Sequence, residues 1–263
     1  MNNEQFALEV AEWLKIPKVL HRLQAKVDPE SSAATSQGNL LGKDTSDPKA
    51  KGTEIYSDYK NLPTATASIL NHVQNRANFH PASMTSEELV KYFKAYTIEI
   101  DKTPFFFLRE DKEDRQKFYS KDYDKLIDQV VSLYDGVSEQ DKNKLKESIA
   151  NMAKTVFSES SSEQWKNLFS QSTIDMNAKE PTIMIYYTSL HMKHVKQKAE
   201  VNEQEYIVKR TTYTILFDKI KANAEQLAKL DKQDVDDWIN GVSSPTKPNA
   251  KVCFTTQPYS HTK

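Results

Sequence analysis

The chain has 263 residues, 38% hydrophobic and 28% charged, which is apolar enough to bury a core and too apolar for a disordered polymer. Its 36 basic and 37 acidic side chains run along the whole length and leave a formal charge of −1, so no field exists to draw nucleic acid or anionic lipid. None of the five glycines belongs to a dinucleotide or P-loop pattern, and the single cysteine, Cys253, cannot form an internal disulfide or a usual zinc site.

The amino end carries Glu4 and no basic cluster, and its apolar residues are interrupted by Glu9, Glu12 and Lys15, unlike a signal peptide. No run of about 18 apolar residues occurs, so no transmembrane helix is predicted and a cytoplasmic protein is expected. Phe6, Val10, Trp13 and Leu14 share a helical face; Pro17 then restarts the chain for a second short helix through Val19, Leu20, Leu23 and Val27. Residues 28–60 are rich in Ser, Ala, Gly, Lys and Asp and predict a mobile loop.

Asn61 and Pro63 open a helix that buries Leu70, Val73 and Ala77, and Thr85 with Glu88 makes a capping box for a helix through Leu89, Tyr92, Phe93 and Tyr96. Thr97 to Ile100 alternates briefly, and Pro104 precedes the most apolar tetrad, Phe105-Phe106-Phe107-Leu108, read as buried core. The acids Glu87, Glu88, Asp111, Glu113 and Asp114 read as helix starts or polar helix faces. Helical spacing from Tyr119 through Tyr123, Leu126, Ile127, Val130 and Tyr134 ends at Gly136. A second helix from Ser138 through Leu145, Ile149, Met152 and Val156 pairs with it as an antiparallel hairpin, and a third opens at Ser160 or Ser161 to bury Trp165 and Leu168.

The pattern then turns to β-branched and aromatic runs at 182–188 and 206–217, which pair as antiparallel strands. Lys196 to Gln204 lacks Gly and Pro, so their connection reads as a long or frayed tip. Phe217, Ile220, Ala224 and Leu227 return to helical spacing. Asp231 with Asp234 opens a last short helix, closed by Gly241, and 242–263 reads as an extended tail.

Chemistry-bearing patterns are few. His191 and His194 are three apart on a strand, which puts them on opposite faces and against a metal chelate; Glu200 is the nearest carboxylate. Cys253 and His261 lie in the tail without a preorganised turn, and neither a Gly-x-Ser-x-Gly elbow nor a His-Glu-x-x-His is present. No catalytic, cofactor or metal residue is assigned.

These patterns predict an α+β fold: a predominantly helical body with a small antiparallel sheet built on a long hairpin at about 182–217, one compact domain over 1–263. The expected role is that of a non-enzymatic accessory or adaptor protein acting through a protein partner, with no nucleic acid and no cofactor. Its candidate surface is Tyr186, Tyr187, Tyr206 and Tyr213 on the hairpin, with Phe105, Phe106 and Phe107 beside it. The layout also matches helical toxins whose apolar hairpin enters a bilayer, but Lys193, His194, Lys209 and Arg210 stand mid-hairpin, where a membrane penalises charge. An enzyme with a site assembled from distant residues is the third alternative.

Overall fold

Spacing of apolar residues at three and four builds the helices, and β-branched and aromatic runs build the strands. A computed structural model describes residues 3–15, 40–41, 45–79, 84, 86–119, 123–134, 137, 139–158, 164–176, 180–196 and 200–239. The protein is α+β. In chain order come α1 (Asn3–Lys15), the two-residue β1 (Leu40–Leu41), the single turn α2 (Glu54–Ser57), α3 (Leu62–Ala77) and α4 (Ser86–Asp101). β2 (Phe106–Tyr119), α5 (Tyr123–Ser132), α6 (Glu139–Ser158) and β3 (Gln164–Asp175) follow, then β4 (Thr182–Lys196), β5 (Glu200–Ile215), α7 (Phe217–Ala222) and α8 (Ala224–Ile239).

The sheet order is β1-β3-β4-β5-β2, antiparallel throughout except for the short parallel pairing of β1 with β3. Pro63 stands in the first turn of α3, where its missing N–H costs nothing. The helix stops at Asn78, whose left-handed φ of 52° lets the Phe79 amide close on the Gln74 carbonyl.

β4 explains the layering. Ile183, Ile185 and Tyr187 point to one face, and Met184, Tyr186 and Leu190 to the other, and both sets are apolar. Helices therefore cover both faces. α1, α3, α4, α7 and α8 pack with Ile183, Ile185, Tyr213 and Ile215 into the larger core. α5 and α6 pack on Met184, Tyr186, Leu190, Tyr206 and Val208 as a second, separate core. Trp13 pins α1 to the larger core, meeting Phe105 edge-on at 5.5 Å and lying under the Arg76 guanidinium at 4.1 Å.

Several expectations change. Thr97 to Ile100 lies inside α4, because Phe93, Tyr96 and Ile100 continue the helical stripe and override four residues of alternation. The helix expected to begin at Tyr119 begins at Tyr123, and Asp111, Glu113 and Asp114 sit on strand β2 instead of on helices. The helix expected to bury Trp165 and Leu168 is strand β3, held in the sheet by its pairing with β4. The expected frayed tip is ladder in its described part: the pairing of β4 with β5 continues as far as Lys196 and Glu200. Asp231 opens no helix but sits midway along α8. Within the expected loop 28–60, β1, α2 and a 3-10 turn at Tyr59–Asn61 are formed. The helix expected beyond Pro17 and the tail 242–263, with Cys253 and His261, lie outside the described residues.

Candidate functional site

The expected hairpin surface is core. Tyr186, Tyr206 and Tyr213 are buried, and Tyr187 is half-buried against Phe93 at 4.7 Å between ring centroids. The reason is that the hairpin is central in the sheet and carries apolar residues of both parities, so helices close over both faces. Tyr134, two residues past the end of α5, stacks on Tyr186 at 4.2 Å and shares a 2.7 Å hydrogen bond with Thr188. The phenylalanine run is split: Phe105 and Phe106 are buried, while Phe107 is 65% and Leu108 47% exposed. His191 and His194 both lie on β4, and among the described residues no group of His, Cys, Asp and Glu gathers as a metal site.

A polar cluster that the sequence did not reveal joins α2, α3 and α8. Asp231 Oδ1 accepts from Ser68 Oγ at 2.8 Å and lies 2.7 Å from His72 Nε2, and Oδ2 accepts from the Tyr56 hydroxyl at 2.5 Å. Burial pushes the Asp231 carboxyl up, but the bonds from His72, Tyr56 and Ser68 outweigh it and hold its pKa below the usual carboxylate range. Burial and the neighbouring Asp231 raise the Tyr56 hydroxyl far above a normal tyrosine. The residue types are those of a hydrolase triad, but the wiring differs. The acid is the hub for all three partners, and His72 is 3% exposed, so the cluster fastens helices instead of presenting a nucleophile.

Among the described residues a groove of about 500 Å³ lies between α4 and the sheet face on the larger-core side. Val90, Phe93, Lys94, Thr97 and Asp101 form one continuous stripe of α4 and make its first wall. Tyr187, Lys209, Thr211 and Tyr213 make its floor, and Leu108 and Asp111 of β2 the far wall. At one end Asp101 accepts from the Tyr213 hydroxyl at 2.9 Å and Asp111 from the Thr211 hydroxyl at 3.1 Å. Burial, then Asp101 and to a lesser degree Asp111, hold the Tyr213 proton on well above the usual tyrosine range, so both carboxylates converge there. At the other end Lys94 follows Phe93, and Lys209 faces Tyr187 across the ladder. Burial pushes the Tyr187 hydroxyl up to about 12.

β2 itself is exposed on both faces from Phe107 to Lys117. Its side chains pair across to β5: Lys209 with Glu113 at 2.9 Å, Arg210 with Glu110 at 3.2 Å and Arg115 with Glu205 at 3.5 Å.

No family model matches the chain, and no curated protein matches it. One solved structure that does match is described as a delta-endotoxin. It is 10% identical over 80% of this chain and 96% of that chain, with a TM-score of 0.32, short of a shared fold. Among the described residues no helix is long and apolar enough to cross a membrane.

Proposed function

We propose that the protein acts on membranes in the manner of a toxin component, storing an amphipathic sheet under a helical layer and uncovering it at a lipid surface. The observation that carries this reading is the separate core beneath α5 and α6. There Met184, Tyr186, Leu190, Tyr206 and Val208 form an apolar surface across the two central strands, covered among the described residues by that helix pair. Detaching the pair uncovers the apolar strand face and the apolar helix stripe together, through Leu126, Ile127, Val130, Leu145 and Ile149.

Length supports it. β4 and β5 have 15 and 16 residues, and a tilted strand crosses a bilayer with about 9–11. Of the mid-strand cations that speak against insertion, Lys209 and Arg210 are paired with Glu113 and Glu110. The test is dye release from liposomes of zwitterionic and of anionic lipid between pH 5 and pH 8. Release is expected, and it should quicken for Tyr134→Phe, which loosens α5 from the sheet. Absence of release under all these conditions sinks the reading for the chain acting alone.

A second reading, an accessory protein acting by protein contact, draws on the groove beside α4. Tyr186 and Tyr206 are buried, but Tyr187 and Tyr213 line the groove, which leaves room for a partner element.

A further inference from the structure

The groove beside α4 is polarised along its length, and of its charged side chains only Lys209 has an ion-pair partner among the described residues, Glu113 at 2.9 Å. Lys94 and Asp101 stand seven residues apart on α4, about 10 Å at the helical rise. Lys209 and Tyr213 stand four apart on β5, about 13 Å along the strand, in the same sense. Lys94 and Lys209 therefore mark a basic end, and Asp101 and Asp111 an acidic end. Among the described residues neither carboxylate has a cationic partner and Lys94 has no anionic one. Between the ends the lining is Phe93, Tyr187 and Tyr213, and the rims carry Val90 at 52% and Leu108 at 47% exposure.

The layering defines the shape of the vacancy. Helices of the larger core cover β3, β4 and part of β5, but β2 beyond Phe106 is exposed, so among the described residues one position beside α4 in the helical layer is open. Helices pack about 8–10 Å from a neighbour, the distance at which a helix laid there would sit from α4.

The geometry points to a docking site for an amphipathic helix of a partner protein, carrying a basic and an acidic side chain two turns apart beside an apolar stripe. The base lies over Asp101 and Asp111, the acid over Lys94 and Lys209, and the stripe over Phe93 and Tyr187. The inference rests on the protein-contact reading above and is independent of membrane action, since α5 and α6 lie on the opposite face.

The probes are three fluorescein-labelled helical peptides of one apolar stripe, bearing Lys and Glu, two Lys or two Glu seven residues apart. Fluorescence anisotropy with the full chain is expected to rank the Lys/Glu peptide at least threefold tighter than either other. Lys94→Glu makes both ends acidic and should move the preference to the two-Lys peptide, a reversal that misfolding cannot mimic. Leu108→Arg, on the exposed rim, should weaken the Lys/Glu peptide at least tenfold with an unchanged circular dichroism spectrum. Equal affinity for the three peptides, no binding, or an unchanged order in Lys94→Glu overturns the inference. A copurified partner whose binding Leu108→Arg leaves intact would overturn the groove while leaving protein contact standing.

Discussion

Single residues separate packing from surface most sharply in the phenylalanine run. Phe105 is fully buried between Phe6 and Trp13, whereas Phe107 on the other side of the strand start is open to solvent. Phe105→Ala should cost about 3–5 kcal/mol and Phe107→Ala less than about 0.5 kcal/mol in urea unfolding. Asp231 is the other decisive residue. Asp231→Ala removes the shared acceptor of the buried Tyr56 and His72 and the half-buried Ser68 and should cost about 2–3 kcal/mol. Its folded pKa is depressed, so the stabilisation is complete above the unfolded value of about 4 and is lost as pH falls through the folded value. Wild type should therefore lose stability below about pH 4 more steeply than Asp231→Asn in parallel urea titrations.

At the scale of elements, β2 and the α5–α6 pair are the weakly held pieces. β2 gains little from burial beyond Phe106, and its side chains join β5 through exposed ion pairs, which salt screens. The carboxyl of Glu113, bonded by Lys209, is held below its usual range despite some burial, so acid loosens the same contacts. Amide exchange in β2 should accelerate in about 1 M NaCl, where the Debye length is about 3 Å, while β4 stays protected. Equal protection of both strands at all salt concentrations would contradict this. On the other face, Tyr134→Phe removes a buried hydrogen bond to Thr188 worth about 1 kcal/mol. Its exchange signature should be confined to α5 and α6, because their core is separate from the one that holds the remaining helices.

At the scale of the whole molecule, a sheet with two apolar faces needs two covers, and two covers allow one to open while the other holds. Unfolding in urea, followed by tyrosine absorbance and by far-ultraviolet circular dichroism, should therefore show the α5–α6 layer giving way first. A single coincident transition by both probes would mean that the two cores act as one. The groove on the opposite face does not share in this opening, so partner binding and lipid binding should neither compete nor couple.

The sequence by itself determined the α+β class, the positions of α1, α3 and α6, the start of α4, and the pairing of β4 with β5. Those elements carry their own periodicity: buried residues at three and four, or a run of Ile, Tyr and Thr that only a ladder satisfies. β2 was illegible because Arg109 to Arg115 are seven consecutive charged residues, exposed on both faces, so no alternation of apolar and polar remains to be read. β3 became a strand only through its neighbour, since β4 offered an unpaired row of backbone groups that β3 satisfies. Asp231 had the look of a helix start until three donors from α2 and α3 met it in space. Burial of the hairpin tyrosines and the polarised groove were likewise decided by the tertiary structure. Exposure depends on which elements pack over a face, and charges far apart in the chain make a site only when packing brings them together.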